Sequence, residues 1–374
     1  ADRPRLAQLL QLAADLGRFL EGRRPAARLP LLDPRLRRFV IARRGLAAAA
    51  GGLLLLLAGF VARALAPPRP LAPQDLLLED VNGDGKLDMV VANSGPAGDR
   101  SADSIAIVYN HGDGTFRRPE LIAVGDLPVG LVRARLHRDG SPELVFANAR
   151  SKDISILRRG DGEAFSPERL VELQGRPTAI AVEDLDGDGH GDIAATFHPS
   201  LQVLLLWNDG KDAFAGRTIV PVGPAPYFIA AVDVNNDGAP DLVTTNGHDR
   251  DQAAANVSVV INRGRRELEP AAHYDAGDPA LGFTAGDVNG DGFADLAVAR
   301  ERIPAIAVFL NARDGTFPGR AAECPLPALI WTLSSADLDG DGDLDLAGAG
   351  GERSAFVLQG DGRGAFSSPA ALPA

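Results

Sequence analysis

The chain has 374 residues, 50 acidic against 38 basic, a formal charge of −12 and 45% apolar residues. That is enough apolar material for a core of one or two domains and too much for a disordered chain. The single cysteine, Cys324, excludes an intramolecular disulfide and a cysteine-based zinc cluster, and the six histidines show no HExxH spacing.

The charge is unevenly spread. Residues 1–66 hold 12 Arg and 4 acids, a charge of +8, whereas residues 67–374 carry −20. Opposite signs imply two environments, and an acidic body repels phosphate, so nucleic acid is not expected as its partner.

Leu6, Leu9, Leu10, Ala13, Leu16 and Leu20 recur at helical spacing and predict an amphipathic helix over 4–21. Such a helix covers an apolar surface or docks on a membrane or a partner. Arg35, Arg37, Arg38, Arg43 and Arg44 follow, so residues 1–44 read as a basic cytoplasmic segment. Residues 45–62, GLAAAAGGLLLLLAGFVA, are 18 uncharged residues. Spanning ~30 Å of hydrocarbon takes ~20 residues, with ~17 as a minimum, so this run suffices for one transmembrane helix. The preceding arginines keep the N-terminus inside, which places the rest in the periplasm or outside the cell. A signal peptide cleaved near Ala64-Leu65-Ala66 fits the same features, with secretion as the result. A buried soluble helix fits five consecutive leucines poorly. Pro67, Pro68 and Pro70 make residues 63–72 a stiff linker.

From residue 73 the chain repeats. A nonapeptide reads DVNGDGKLD at Asp80, DLDGDGHGD at Asp184, DVNNDGAPD at Asp233, DVNGDGFAD at Asp287 and DLDGDGDLD at Asp337, with a decayed copy, RLHRDGSPE, at Arg135. Successive starts lie 55, 49, 49, 54 and 50 residues apart. In each unit an apolar run precedes the nonapeptide, often opened by proline (Pro73, Pro128, Pro177, Pro226), and two β-prone runs follow it. A Gly-containing turn then closes on Phe116, Phe165, Phe214, Phe317 or Phe366, which returns the chain to the core. Four antiparallel strands per ~50 residues make a propeller blade. The expected fold is therefore all-β, a six-bladed β-propeller over 73–374. Seven blades are expected only if the unit boundaries are misplaced.

Asp or Asn at positions 1, 3 and 5 of the nonapeptide, Gly at 6 and Asp at 9 make a hard-cation loop, because short carboxylates at alternate positions converge when the chain curls. A carbonyl at position 7 adds an oxygen. An all-oxygen donor set suits Ca²⁺ better than zinc or copper, and better than Mg²⁺, which keeps its waters. The EF-hand reading fails, because position 12 is Val91, Ala195, Thr244, Val298 or Gly348 instead of Glu and the flanks are strands.

These loops closely resemble the calcium loops of the FG-GAP/VCBS repeat family, the propeller repeats of integrin α-chain heads and many bacterial surface proteins. The resemblance covers about residues 73–374. It implies Ca²⁺ between the first two strands of each blade, at about five structural sites. The implied ligands in the first loop are Asp80, Asn82, Asp84, Asp88 and the carbonyl of Lys86. In the third they are Asp184, Asp186, Asp188, Asp192 and the carbonyl of His190; in the fourth, Asp233, Asn235, Asp237, Asp241 and the carbonyl of Ala239. The fifth offers Asp287, Asn289, Asp291, Asp295 and the carbonyl of Phe293, and the sixth Asp337, Asp339, Asp341, Asp345 and the carbonyl of Asp343. The second departs from the pattern: Arg135 and His137 replace the first two ligands, so no ion is expected, and Arg135 is expected to pair with Asp139 or Glu143.

The ions read as structural staples. Two longer segments, Asn93–Asp103 and Asn246–Asn256, are candidate recognition loops for a protein or glycan, or neutral length drift. Arg159-Gly160-Asp161 and the acceptor Asn256-Val257-Ser258 carry little weight, and Trp207 and Trp331 read as packing residues. Neither a GxSxG elbow nor a P-loop occurs. The leading expectation is a non-enzymatic, membrane-anchored binding or assembly module. An enzyme acting on envelope polysaccharide and a scaffold subunit of a membrane complex are the alternatives.

Overall fold

The computed structural model describes residues 72–371 except 96–102, 114, 138–142, 161–163, 211–213, 248–255 and 351–354. These residues belong to one compact unit, Leu71–Ala374. The expected amphipathic helix, transmembrane segment 45–62 and most of the linker lie outside the described residues, as do most of the two long recognition loops, Asp139 and Asp161. Among the described residues no helix is long and apolar enough to cross a membrane.

The strands form six four-stranded antiparallel sheets, each an uninterrupted meander. Blade one holds β1 (Ala72–Glu79), β2 (Asp88–Ser94), β3 (Ser104–Val108) and β4 (Glu120–Ala123); blade two holds β5 (Pro128–Ala134), β6 (Glu143–Asn148), β7 (Asp153–Arg159) and β8 (Phe165–Glu172). Blade three holds β9 (Pro177–Glu183), β10 (Asp192–Phe197), β11 (Gln202–Trp207) and β12 (Gly216–Pro221); blade four holds β13 (Pro226–Val232), β14 (Asp241–Asn246), β15 (Val257–Val260) and β16 (Ala272–Tyr274). Blade five holds β17 (Ala280–Gly286), β18 (Asp295–Arg300), β19 (Ala305–Phe309) and β20 (Arg320–Pro325); blade six holds β21 (Ile330–Ala336), β22 (Asp345–Gly350), β23 (Ala355–Leu358) and β24 (Ala370–Ala371). The six-bladed propeller read from the repeat is thus the observed fold.

Burial follows position in the blade. Second strands such as Asp192–Phe197 and Asp241–Asn246 are buried at every residue, polar ones included. Outer strands such as Gly216–Pro221 alternate between exposed and covered, with one face turned to water. First strands from β1 to β21 touch the first strand of the next blade. Glycine permits this approach at two places: a Cβ at Gly282 would lie 2.6 Å from the Trp331 carbonyl oxygen, and one at Gly130 would lie 3.0 Å from the Ile180 nitrogen.

The core is divided into five clusters, one between each pair of consecutive blades. The same three repeat positions build every joint. Position 2 of the nonapeptide comes from one blade, as Val81, Leu136, Leu185, Val234 or Val288. The next blade supplies a first-strand residue (Leu131, Ile180, Ile229, Phe283, Leu333) and the residue that closes its outer hairpin (Phe165, Phe214, Leu268, Phe317, Phe366). The expectation that the hairpin aromatic returns to the core therefore holds for four Phe residues. It fails for Phe116, which is exposed on the first blade. Trp207 is buried, with its indole N–H donated to Thr218 Oγ1 (2.8 Å) and Arg266 stacked on its ring. Trp331, also expected to pack, is exposed on the sixth blade.

Candidate metal centre

The nonapeptides join the first and second strands of each blade. The meander places them at one end of the propeller, together with the hairpins between third and fourth strands. The ends of the second strands and the starts of the third lie at the opposite end.

Each acidic loop is wound by its own side chains. In the first, Asp80 Oδ1 accepts from the Gly83 and Asp84 amides (2.7 and 3.1 Å) and Oδ2 from Gly85 (2.7 Å). Asn82 accepts from the Asp84 amide (2.8 Å), and Asp84 from Lys86 (3.0 Å). The pattern recurs around Asp184, Asp233, Asp287 and Asp337, whose carboxylates accept from the position-6 amides Gly189, Gly238, Gly292 and Gly342 at 2.7–3.1 Å. It recurs again in the bonds from Asp188 to Asp186, Asp237 to Asn235, Asp291 to Asn289 and Asp341 to Asp339. The position-7 amides of His190, Ala239, Phe293 and Asp343 donate to the position-5 carboxylates. This curl requires left-handed backbone: Gly83 and Gly85 both have φ of 81°, and Asn236 takes the same role at 58°.

The winding brings like charges together. One carboxylate oxygen each of Asp184, Asp186 and Asp188 lie within 4.8 Å of one another, and so do those of Asp337, Asp339 and Asp345. Basic side chains answer some of this charge: Lys86 faces Asp84 (3.5 Å), Arg263 Asp237 (3.3 Å), Arg313 Asp291 (3.1 Å), and Arg266 of blade four reaches Asp186 of blade three (2.8 Å). In the sixth loop the partner of Asp339 is the neutral Gln359 amide (2.7 Å). There, partial desolvation and then the charges of Asp341, Asp361, Asp337 and Asp339 hold Asp343 above the ordinary carboxylate range. Three carboxylates within one ion's reach, with amide oxygens as the other donors, fit a hard divalent cation.

Position 9 does a second job. Asp88, Asp192, Asp241, Asp295 and Asp345 are all buried. One oxygen accepts from the position-2 amide: Val81 (3.3 Å), Leu185 (3.1 Å), Val234 (2.9 Å), Val288 (3.1 Å) or Leu338 (2.9 Å). The other accepts from the first amide of the outer hairpin: Asn110 (2.8 Å), Asn208 (2.7 Å), Asn262 (2.8 Å), Asn311 (2.7 Å) or Gly360 (2.9 Å). The carboxylate therefore ties the acidic loop to the blade's outer hairpin.

The hairpin asparagines extend this tie to the neighbouring blade, a role the sequence reading did not assign. Asn208 Nδ2 donates to the Leu136 carbonyl (2.8 Å), Asn262 to Leu185 (2.8 Å) and Asn311 to Val234 (2.6 Å), in each case the position-2 carbonyl of the preceding blade. Their recurrence at one phase, in YN, WN, IN and LN, was the available signal.

In the decayed second loop the partner of Glu143 is His137, not Arg135. His137 Nδ1 lies 2.8 Å from Glu143 Oε1, and Oε2 accepts from the Leu136 amide (3.0 Å). A histidine at position 3 thus meets the position-9 acid in this loop.

Burial, reinforced by the neighbouring loop carboxylates, raises the carboxyl pKa of Asp192 to about 7 and those of Asp241 and Asp295 to about 6. Folding thus favours the protonated form of these groups. Their contribution to metal-free stability is full below about pH 4 and is lost as pH rises through 6–7. In EDTA the melting temperature is expected to fall between pH 5 and 7.5, and saturating calcium, which favours the ionised form, should abolish that fall. Thermal melts at both pH values check this; a melting temperature that rises across the window in EDTA contradicts it.

The profile of the family described as FG-GAP-like repeat matches residues 80–134, 136–195, 184–244 and 287–348, more than half of the chain. No curated protein sequence matches it. Among solved structures, BBS1N in complex with ARL6DN is similar at a TM-score of 0.55 and 16% identity, over 83% of this chain and 84% of that one. The BP39L lectin from Burkholderia pseudomallei gives 0.55 at 14% identity, over 77% and 81%. A catalytically inactive virginiamycin B lyase from Staphylococcus aureus, with quinupristin, gives 0.51 at 14%, over 80% and 85%. At these identities the likeness is one of fold.

Proposed function

The chain belongs to the FG-GAP-like repeat family, and from that membership we propose that it is an exported, membrane-anchored binding module whose blades are held by calcium. The observation that carries this reading is the winding of the acidic loops. Their aspartates accept hydrogen bonds from their own loop's amides and, at position 9, from the outer hairpin. Acids engaged in this way are suited to holding a cation and a fold. Calcium in each loop would supply charge neutralisation among carboxylates that otherwise repel. Extracellular sites of this kind work at ~10⁻⁴–10⁻³ M ion, which suits an exported domain. The N-terminal basic and apolar segments supply the anchor, and the rigid ring presents its loops to a protein or glycan.

The test presents the full chain, purified in mild detergent with calcium, to panels of envelope glycans and polymers and to intact envelopes for crosslinking. Retention that EDTA abolishes, without change in the ligand, is the expected result. Release of shortened or unsaturated polymer would replace this reading with an enzymatic one.

A further inference from the structure

Among the described residues, four basic side chains pair with carboxylates of the acidic loops, and one of them comes from a different blade. Lys86 belongs to the loop it faces, and Arg263 and Arg313 lie on the outer hairpins of the same blades as Asp237 and Asp291. Arg266 instead reaches from the outer hairpin of blade four to Asp186 of blade three, with Nε 2.8 Å from Oδ2. Asp186 is the more enclosed partner, its side chain 7% exposed against 43% for the arginine. Both its oxygens are engaged, because Oδ1 accepts from the Asp188 amide (3.1 Å). The guanidinium also lies over the ring of Trp207, a buried residue of blade three, 5.0 Å from its centroid. The hairpin is shaped for this reach. Gly264, Arg265 and Arg266 run left-handed, with φ of 72°, 51° and 68°, and the Arg265 amide donates to the Asp186 carbonyl (3.2 Å). Gly216 leaves the room: a Cβ there would lie 3.1 Å from Trp207 Cδ1 and 3.5 Å from Arg266 Nη1.

We propose that Arg266 is the resident counter-ion of the third acidic loop, which calcium must displace, so that the filling of this loop is coupled to the joint between blades three and four. The coupling rests on the proposed calcium loops. Oxygens of Asp184, Asp186 and Asp188 converge within 4.8 Å, and Asp186 is the one that holds the guanidinium. A guanidinium and a divalent ion at one carboxylate compete for its oxygens and repel each other. Once Arg266 leaves Asp186 it loses the anchor that holds it over Trp207, so the indole senses whether the loop is filled. The linkage is reciprocal: the arginine contact weakens calcium binding by the factor by which calcium weakens the contact.

The test uses the full chain in mild detergent, with Trp331→Phe in place so that Trp207 is the one tryptophan of the two that remains. Terbium luminescence excited through Trp207, and competed by calcium, reads the affinity of the loop beside it. Calcium is expected to change Trp207 emission over the same concentration range. Arg266→Gln, which removes the charge, should bind calcium at this loop about fivefold or more tightly and show no calcium-dependent emission change. Arg266→Lys keeps the charge and should stay close to the parent affinity. Circular dichroism checks the fold, and Arg266→Met serves if the glutamine variant unfolds. Equal calcium affinity beside Trp207 with Arg266 and with Gln would overturn the proposal, as would parent Trp207 emission that calcium leaves unmoved, or calcium uptake with none beside Trp207. Those outcomes leave the other calcium loops standing, whereas a chain that takes up no calcium by elemental analysis removes both the loops and the coupling.

Discussion

Treatment with EDTA is expected to lower the melting temperature of the propeller by about 10 °C or more, and excess calcium to restore it. A ligand bound only by the native state at a hundredfold excess over its Kd contributes about 2.7 kcal/mol per site. Occupation of two or three of the five acidic loops then supplies roughly 5–8 kcal/mol, and each kcal/mol moves the midpoint of a domain of this size by about 2–4 °C. The sixth loop should show the steepest response, because Asp339 is met by a neutral amide where the first, third, fourth and fifth loops bring in a lysine or arginine. Asp339→Asn should therefore recover part of the stability lost in EDTA while weakening the calcium response. Differential scanning calorimetry with elemental analysis decides the matter: superimposable melts with and without chelator, in a protein that carries no calcium, would remove the ion from the account.

Asp192→Ala should destabilise the domain by about 2–4 kcal/mol, and it should do so with or without calcium. The reason is the second job of position 9. Removing this carboxylate strands the buried amides of Leu185 and Asn208, and an unsatisfied buried donor costs about 1–3 kcal/mol. It also frees Asn208, whose side chain bonds to the Leu136 carbonyl of the preceding blade. Asp84→Ala is the contrasting variant. That side chain is partly exposed and bonds only within its own loop, so in EDTA its loss should fall within about 0.5 kcal/mol of wild type. In calcium the same change should reduce the ion's stabilisation. Urea unfolding of both variants under both conditions separates the roles; an Asp192→Ala penalty that vanishes in EDTA would show position 9 to be a ligand and nothing more.

Much of this was legible from the residues. The period of the nonapeptide and the four β-prone runs per unit are local features, and a meander pairs each strand with its sequence neighbour, so blade number and strand order needed no long-range information. The donor pattern at positions 1, 3 and 5 was legible for the same reason, since those side chains act on amides two to five residues away. Position 9 was read as a ligand alone because its hydrogen-bond partners sit on another hairpin, 15–22 residues on. Arg135 was given to Asp139 or Glu143 on charge; Glu143 is met instead by His137.

What sequence by itself determined, then, is the blade and its acidic loop, because both arise from contacts within about fifty residues. What tertiary structure alone decided is the joint. Phe116 and Leu338 are chemically equal to residues that other blades bury against a neighbouring sheet, yet both are exposed. A repeat encodes each face identically, whereas burial belongs to the pair of faces that meet.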